Sequence, residues 1–180
     1  MTELRPNPGV VVGVADMAIA RESQGHLVTY ALGSCIGLSA YDPVAKVGGL
    51  LHYMLPQPAE QADPKALKPF MFATTGIPLL MRRLVDAGAQ QSRLIVCAAG
   101  GAEILEGAVT MAIGKRNRTM LRKVLWKMGV ALAAEQSGGS IARTMTLVLS
   151  TGEIRIKSRD SDGAMWAQGM PVVALKGVEP

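Results

Sequence analysis

Cys35 and His52 stand in two apolar stretches where a reactive polar side chain is otherwise hard to explain. Cys35 follows the small pair Gly33-Ser34 and opens a strand-like run over residues 36–41. His52 lies inside a second run, residues 47–55, and Asp42-Pro43 marks a turn between the two. A strand leading away from Cys35 and a return strand bearing His52 bring a thiol and an imidazole together, a nucleophile and its general base. That pairing suits acyl transfer on an amide or an ester. Taken singly, each residue reads as structural, because free cysteine is commonly buried and core histidines are usually satisfied by packing neighbours. Burying an imidazole without a partner is costly, and the two residues together read as a site.

Thr29 lies on the strand before Cys35. A β-branched residue needs no special reason to be in a strand, yet its hydroxyl is able to orient the imidazole, a role more often held by Asp or Asn. The backbone N–H groups of Ser34 and Cys35 are the candidate oxyanion donors. Cys97, in an apolar run without charged neighbours, reads as structural. A zinc set drawn from Cys35, His52, Cys97 and His26 lacks paired-ligand spacing, so no metal is expected. Gly100, Gly101, Gly138 and Gly139 are candidates for the wall of a substrate groove. Neither pair is followed by the Lys-Ser/Thr of a phosphate loop, and no nucleotide or other cofactor is expected.

The elements that must position these residues read as follows. Strands are expected over residues 10–15, 27–32, 36–41 and 47–55. Residues 56–69 carry four prolines and read as an exposed loop that could wall the groove. A helix then follows with Thr75 as N-cap, Pro78 in its first turn, an apolar face of Ile77, Leu80, Met81, Leu84 and Val85, and Gly88 as its stop. Residues 93–99 form a strand, residues 117–128 a second helix with Met120, Leu121, Val124, Leu125 and Met128 on one face, and residues 130–134 a further strand. Residues 144–150 and 153–157 flank Thr151-Gly152 as a hairpin. Strands at both ends with two helices between them describe an α+β layered domain rather than a doubly wound one. Residues 1–157 are read as a single domain and residues 158–180, rich in Asp, Ser and Gly, as a loosely held tail.

With 49% hydrophobic and 18% charged residues the chain is not a disordered one, and with only 4% aromatics its core must rely on aliphatic side chains and methionine. The net charge of +5 favours acidic partners. The basic residues are too dispersed, and too poor in aromatic company, for nucleic acid. The densest cluster, Lys115-Arg116-Asn117-Arg118, reads as a solvated helix face, with an acidic partner as the alternative. Two cysteines cannot build a disulfide scaffold. No signal peptide or membrane-spanning run is read, so the cytoplasm is the expected location.

Leu32-Gly-Ser-Cys35-Ile-Gly-Leu, Tyr41-Asp-Pro-Val-Ala-Lys-Val-Gly-Gly49 and His52-Tyr-Met-Leu-Pro56, in this order, resemble the bacterial chemoreceptor glutamine deamidase family, CheD. Thr75-Gly-Ile-Pro-Leu-Leu80, Gly100-Gly-Ala102, Ile113-Gly-Lys-Arg-Asn117 and Gly138-Gly-Ser-Ile-Ala-Arg143 extend the resemblance collinearly over about residues 10–157, a domain-sized span. The resemblance implies a cysteine amidohydrolase with Cys35 as nucleophile, His52 as its histidine and Thr29 as its threonine. It implies an α/β/β sandwich shared with cysteine-dependent toxin deamidases, and receptor glutamines of the cytoplasmic helical bundle as substrate. It also implies, for some members, a phosphatase partner of the CheC type. The chain departs from the family pattern at Thr74 and at Glu103-Ile104-Leu105.

Overall fold

The computed structural model describes residues 9–63, 65–103 and 112–170. In chain order its strands are β1 (Val10–Val11), β2 (Asp16–Arg21), β3 (His26–Leu32), β4 (Ile36–Asp42), β5 (Val47–Tyr53), β6 (Ile95–Gly100), β7 (Ala134–Ser137), β8 (Arg143–Val148), β9 (Ile154–Ser158) and β10 (Asp162–Trp166). Helix α1 (Ala73–Asp86) follows β5, and α2 (Ile113–Lys127) follows β6.

The chain is α+β, with two mixed five-stranded sheets in the orders β1-β3-β8-β9-β10 and β2-β5-β4-β6-β7. Among the described strands of the two sheets, the pairings are antiparallel except β1 with β3 and β6 with β7. Every residue of β4 and β5 is buried, which explains why these strands read as continuous apolar runs without alternation. Their side chains still divide by parity. Ile36, Leu38, Val47, Leu51 and Tyr53 pack with Ile77, Leu80 and Leu84 of α1 and Leu121 and Leu125 of α2. Tyr41, Leu50, Cys97 and Ala99 turn the other way, onto Leu27, Met145, Leu147 and Ile156 of the first sheet. The second sheet is therefore covered by helices on one face and by the first sheet on the other. Among the described residues no helix is long and apolar enough to cross a membrane.

Asp42, fully buried at the β4–β5 turn, accepts the N–H groups of Val44, Ala45 and Gln90 and both arms of Arg93. Burial works to raise its pKa, but Arg93 and these N–H groups outweigh it and hold the carboxyl well below the usual range.

Several boundaries differ from the expectations. The strand expected over residues 10–15 is confined to Val10–Val11, and a separate edge strand, β2, follows it. Helix α1 begins at Ala73, and the Thr75 hydroxyl donates to the carbonyls of Pro69 and Phe72 rather than capping the helix. Helix α2 starts four residues earlier than Asn117, with Gly114 pressed against Gly101 and Ala102, where a Cβ would meet both carbonyl oxygens at 2.6 Å. Residues 130–133 are not a strand; the edge strand is β7, immediately after them. The chain past Ser158, expected to be loose, turns back as β10, pairs with β9 and buries Trp166 at 5% exposure in the inter-sheet core. The expected tail beyond residue 170 lies outside the described residues.

Candidate active site

Strand β3 carries one extra residue against β8, since Thr29 pairs with Met145 but Leu32 with Arg143. Ala31, at φ 56°, takes up this bulge, a device common beside active sites because it re-aims the strand. The effect here is that Leu27, Thr29 and Leu32 all face the second sheet, and the chain then crosses to it through Gly33, Ser34 and Cys35. The half-buried Cys35 thus sits at the crossing, at the head of β4.

His52 pairs with Gly37, and Cys35 lies two residues before Gly37, so the two side chains share the face turned toward the first sheet. His52 is 1% exposed and reaches across the gap, its Nδ1 lying 2.7 Å from the Thr29 hydroxyl. That hydroxyl also lies 2.8 Å from the Val12 carbonyl. A carbonyl cannot donate and a hydroxyl has one proton, so Thr29 donates to Val12 and accepts from His52 Nδ1–H. The tautomer is thereby set: Nε2 carries the free lone pair. Nε2 is buried and has no hydrogen-bond partner among the described residues, including the Cys35 thiol. The sequence placed Thr29 beside His52 but gave no sign of Val12, whose contribution is a backbone atom.

Burial pushes the Cys35 thiol above its ordinary pKa, an effect its own backbone N–H partly offsets, and pulls the His52 imidazole below its own. Both shifts favour neutral forms, a thiol beside a free base. Cys97 is fully buried and its thiol is pushed up to about 12 by desolvation, so it has no comparable chemistry.

The backbone around Cys35 is held by its carbonyls. Gly33 O accepts from Ala102 N–H at 2.8 Å and Cys35 O from Gly101 N–H at 2.7 Å. Ser34 O accepts from the Asn117 carboxamide at 2.9 Å. Among the described residues, neither the Ser34 nor the Cys35 N–H donates to another residue. Two backbone donors not taken by other described residues, beside a candidate nucleophile, are the makings of an oxyanion site. Gly100 and Gly101 have φ values of 108° and 62°, and a Cβ on Gly100 would stand 2.2 Å from the Cys35 carbonyl oxygen. Only glycine allows this approach. Gly138 N–H donates to Gly100 O, and Gly139 O accepts from Glu103 N–H. The four glycines expected along a groove wall are therefore placed in the backbone mesh that holds the cysteine loop. His26, at the outer end of β3, pairs with Val148.

Beyond the site, Pro56, Gln57, Lys115, Arg116, Thr119 and Met120 line a cavity of about 470 Å³. It joins the start of the proline-rich loop to the basic cluster of α2.

Residues 54–158 match the family model described as CheD chemotactic sensory transduction. A protein of Solibacter usitatus named probable chemoreceptor glutamine deamidase CheD is 48% identical over 145 residues, 81% of this chain and 86% of the relative. A relative from Syntrophus aciditrophicus, of the same description, is 45% identical over 83% of this chain and 93% of its own. One from Pyrococcus horikoshii is 38% identical over 82% and 91%.

Proposed function

The chain belongs to the CheD chemotactic sensory transduction family, and from that premise we propose that it is a protein-glutamine deamidase that converts glutamine side chains of chemotaxis receptors to glutamate through a Cys35 thioester. One observation supports this reading above the others: Thr29 and Val12 leave His52 with an unprotonated, unpartnered Nε2 on the face it shares with Cys35.

His52 Nε2 takes the thiol proton as the substrate amide arrives, and the sulfur attacks the carboxamide carbon. Because burial favours the neutral pair, the transfer belongs to the encounter with substrate and not to the resting protein. Charge gathers on the amide oxygen, against the N–H groups of Ser34 and Cys35. The imidazolium returns its proton to the nitrogen, ammonia leaves, and a thioester remains. Water, deprotonated by the same Nε2, hydrolyses it to glutamate and restores the thiol. Thr29 accepts from Nδ1–H throughout and keeps the ring in place.

Chemoreceptors are the proposed substrate because the relatives' names give chemoreceptor glutamine as theirs. The cavity beside Lys115 and Arg116 suits an acidic helical surface. The same family premise carries a CheC-like phosphatase as regulatory partner and a cytoplasmic site of action. The layering of helices, sheet and sheet is read as the sandwich of cysteine-dependent deamidases. The test is mass spectrometry of receptor cytoplasmic fragments incubated with the purified protein. Conversion of glutamine to glutamate by wild type, lost in Cys35→Ala, is expected. Receptor fragments left untouched while free glutamine is hydrolysed would overturn the reading.

A further inference from the structure

Asn117 lies inside the most basic stretch of the chain, yet it is fully buried. Its Nδ2 has two protons and gives one to the carbonyl of Ser34 at 2.9 Å and the other to that of Met54 at 2.7 Å. Ser34 precedes the nucleophile, and Met54 follows His52 by two residues. The β4–β5 ladder makes its last pair at Ile36 and Tyr53. Just past that pair, one side-chain amide holds both departing chains. The Tyr53 hydroxyl, donating to Asn117 O at 3.1 Å, ties the helix backbone to the same point. Asn117 Oδ1 is buried without a partner among the described residues, a cost that an apolar side chain would avoid. What the site uses is the double donor.

The peptide unit is planar and trans, so its C=O and N–H point in opposite directions. Fixing the Ser34 carbonyl on α2 therefore fixes the Cys35 N–H pointing away from α2. That N–H donates to no other described residue and lies against the sulfur of its own side chain. A tetrahedral carbon formed on that sulfur would carry its oxygen beside it.

We propose that Asn117 is a positioning residue of the oxyanion site, aiming the Cys35 N–H at the substrate oxygen through the Ser34 carbonyl. The proposal rests on the deamidase reading above. Asn117→Asp keeps the shape but removes the donors and sets a carboxylate against two carbonyls; Asn117→Ala, measured alongside, carries the test should the aspartate not fold. Turnover on receptor fragments, KM, melting temperature and the rate of Cys35 alkylation by iodoacetamide are compared at a temperature where the variants are folded. Alkylation displaces iodide at a tetrahedral carbon and forms no oxyanion. The expected result is a kcat lower by about 10²-fold, the usual effect of losing one oxyanion donor, with KM and the alkylation rate unchanged. Unchanged kcat in a folded variant would overturn the proposal. So would kcat and alkylation falling in parallel, which marks a general loosening of the loop.

Wild type supplies a check that needs no variant. A receptor-derived peptide with a γ-aldehyde in place of the glutamine carboxamide should add the Cys35 sulfur reversibly. The Cys35 amide proton should then move downfield in the NMR spectrum. An unmoved Cys35 amide in the adduct would refute the assignment. Wild type inactive on receptor fragments would instead refute the deamidase reading, so the two failures are distinguishable.

Discussion

Replacing Thr29 tests the logic of the site most directly, because one hydroxyl proton decides the state of the imidazole. Thr29 donates to Val12 O at 2.8 Å and accepts from His52 Nδ1 at 2.7 Å. Thr29→Val keeps the shape and the strand preference while removing both bonds. His52 is then left with an N–H facing a methyl group in a site only 1% exposed. An unsatisfied buried donor costs about 1–3 kcal/mol. The imidazole escapes that cost by rotating or by moving its proton to Nε2, and either escape removes the base. If the cost falls wholly on the catalytic arrangement, turnover drops by about 5- to 150-fold, at about 1.36 kcal/mol per tenfold. Thr29→Ala should behave similarly, and Thr29→Ser, which keeps the oxygen and its proton, should stay close to wild type. The assay is the initial rate of receptor-fragment deamidation by mass spectrometry, with melting temperature as the control for folding. Thr29→Val turning over at the wild-type rate would refute the orienting role and leave Thr29 a strand former.

Cys35→Ala should abolish turnover in a folded protein, and iodoacetamide should label Cys35 well before Cys97, whose buried thiol is pushed up to about 12; peptide mapping after brief labelling checks both. The lowered His52 pKa means the base stays unprotonated below the ordinary imidazole value of about 6.5. The acid limb of kcat/KM should accordingly fall below that pH, and a limb centred above it would contradict the burial argument. In the unfolded chain the same imidazole protonates first, so its contribution to stability is complete above about 6.5 and is lost as pH drops beneath it. Asp42→Ala should destabilise the fold by about 1–3 kcal/mol, because the N–H groups of Val44, Ala45 and Gln90 lose their buried acceptor, while the folded fraction keeps its turnover. Urea titration combined with activity separates the two effects.

The residues of the site were legible in the sequence to the extent that chemistry resides in side chains. Cys35 and His52 stand out together as polar groups in apolar stretches, whereas Thr29 reads first as a strand former, and the register that puts the first two on one face came only from the structure. Asp42 itself was visible as a turn residue through its side-chain bonds to Val44 and Ala45. Val12 was invisible because any residue supplies the same carbonyl. Asn117 was obscured by its neighbours, for Lys115, Arg116 and Arg118 make the segment look solvated throughout, and Asn also resembles a helix start. Helix α2 begins before it because Gly114 lets the first turn press onto Gly101 and Ala102, a tertiary contact without a local signature. Strand β10 is short and opens on Asp162-Gly163 after a polar turn, which hides it in the sequence; pairing with β9 and burial of Trp166 fix it.

Thr29 lies in the first sheet, with Val12 just past the end of β1, whereas His52 lies in the second, with Cys35 just before β4, so the hydrogen bond that sets the imidazole tautomer spans the seam between two independently laddered layers. Neither sheet can assemble the site alone. A widening of the seam by roughly an ångström would stretch a 2.7 Å contact past useful hydrogen-bond range while every ladder remained intact. Met145, Leu147 and Leu50, packed in that seam, consequently act as spacers for a proton they never touch. Repacking them should change turnover through the spacing of the sheets, so that activity would gauge the interlayer fit.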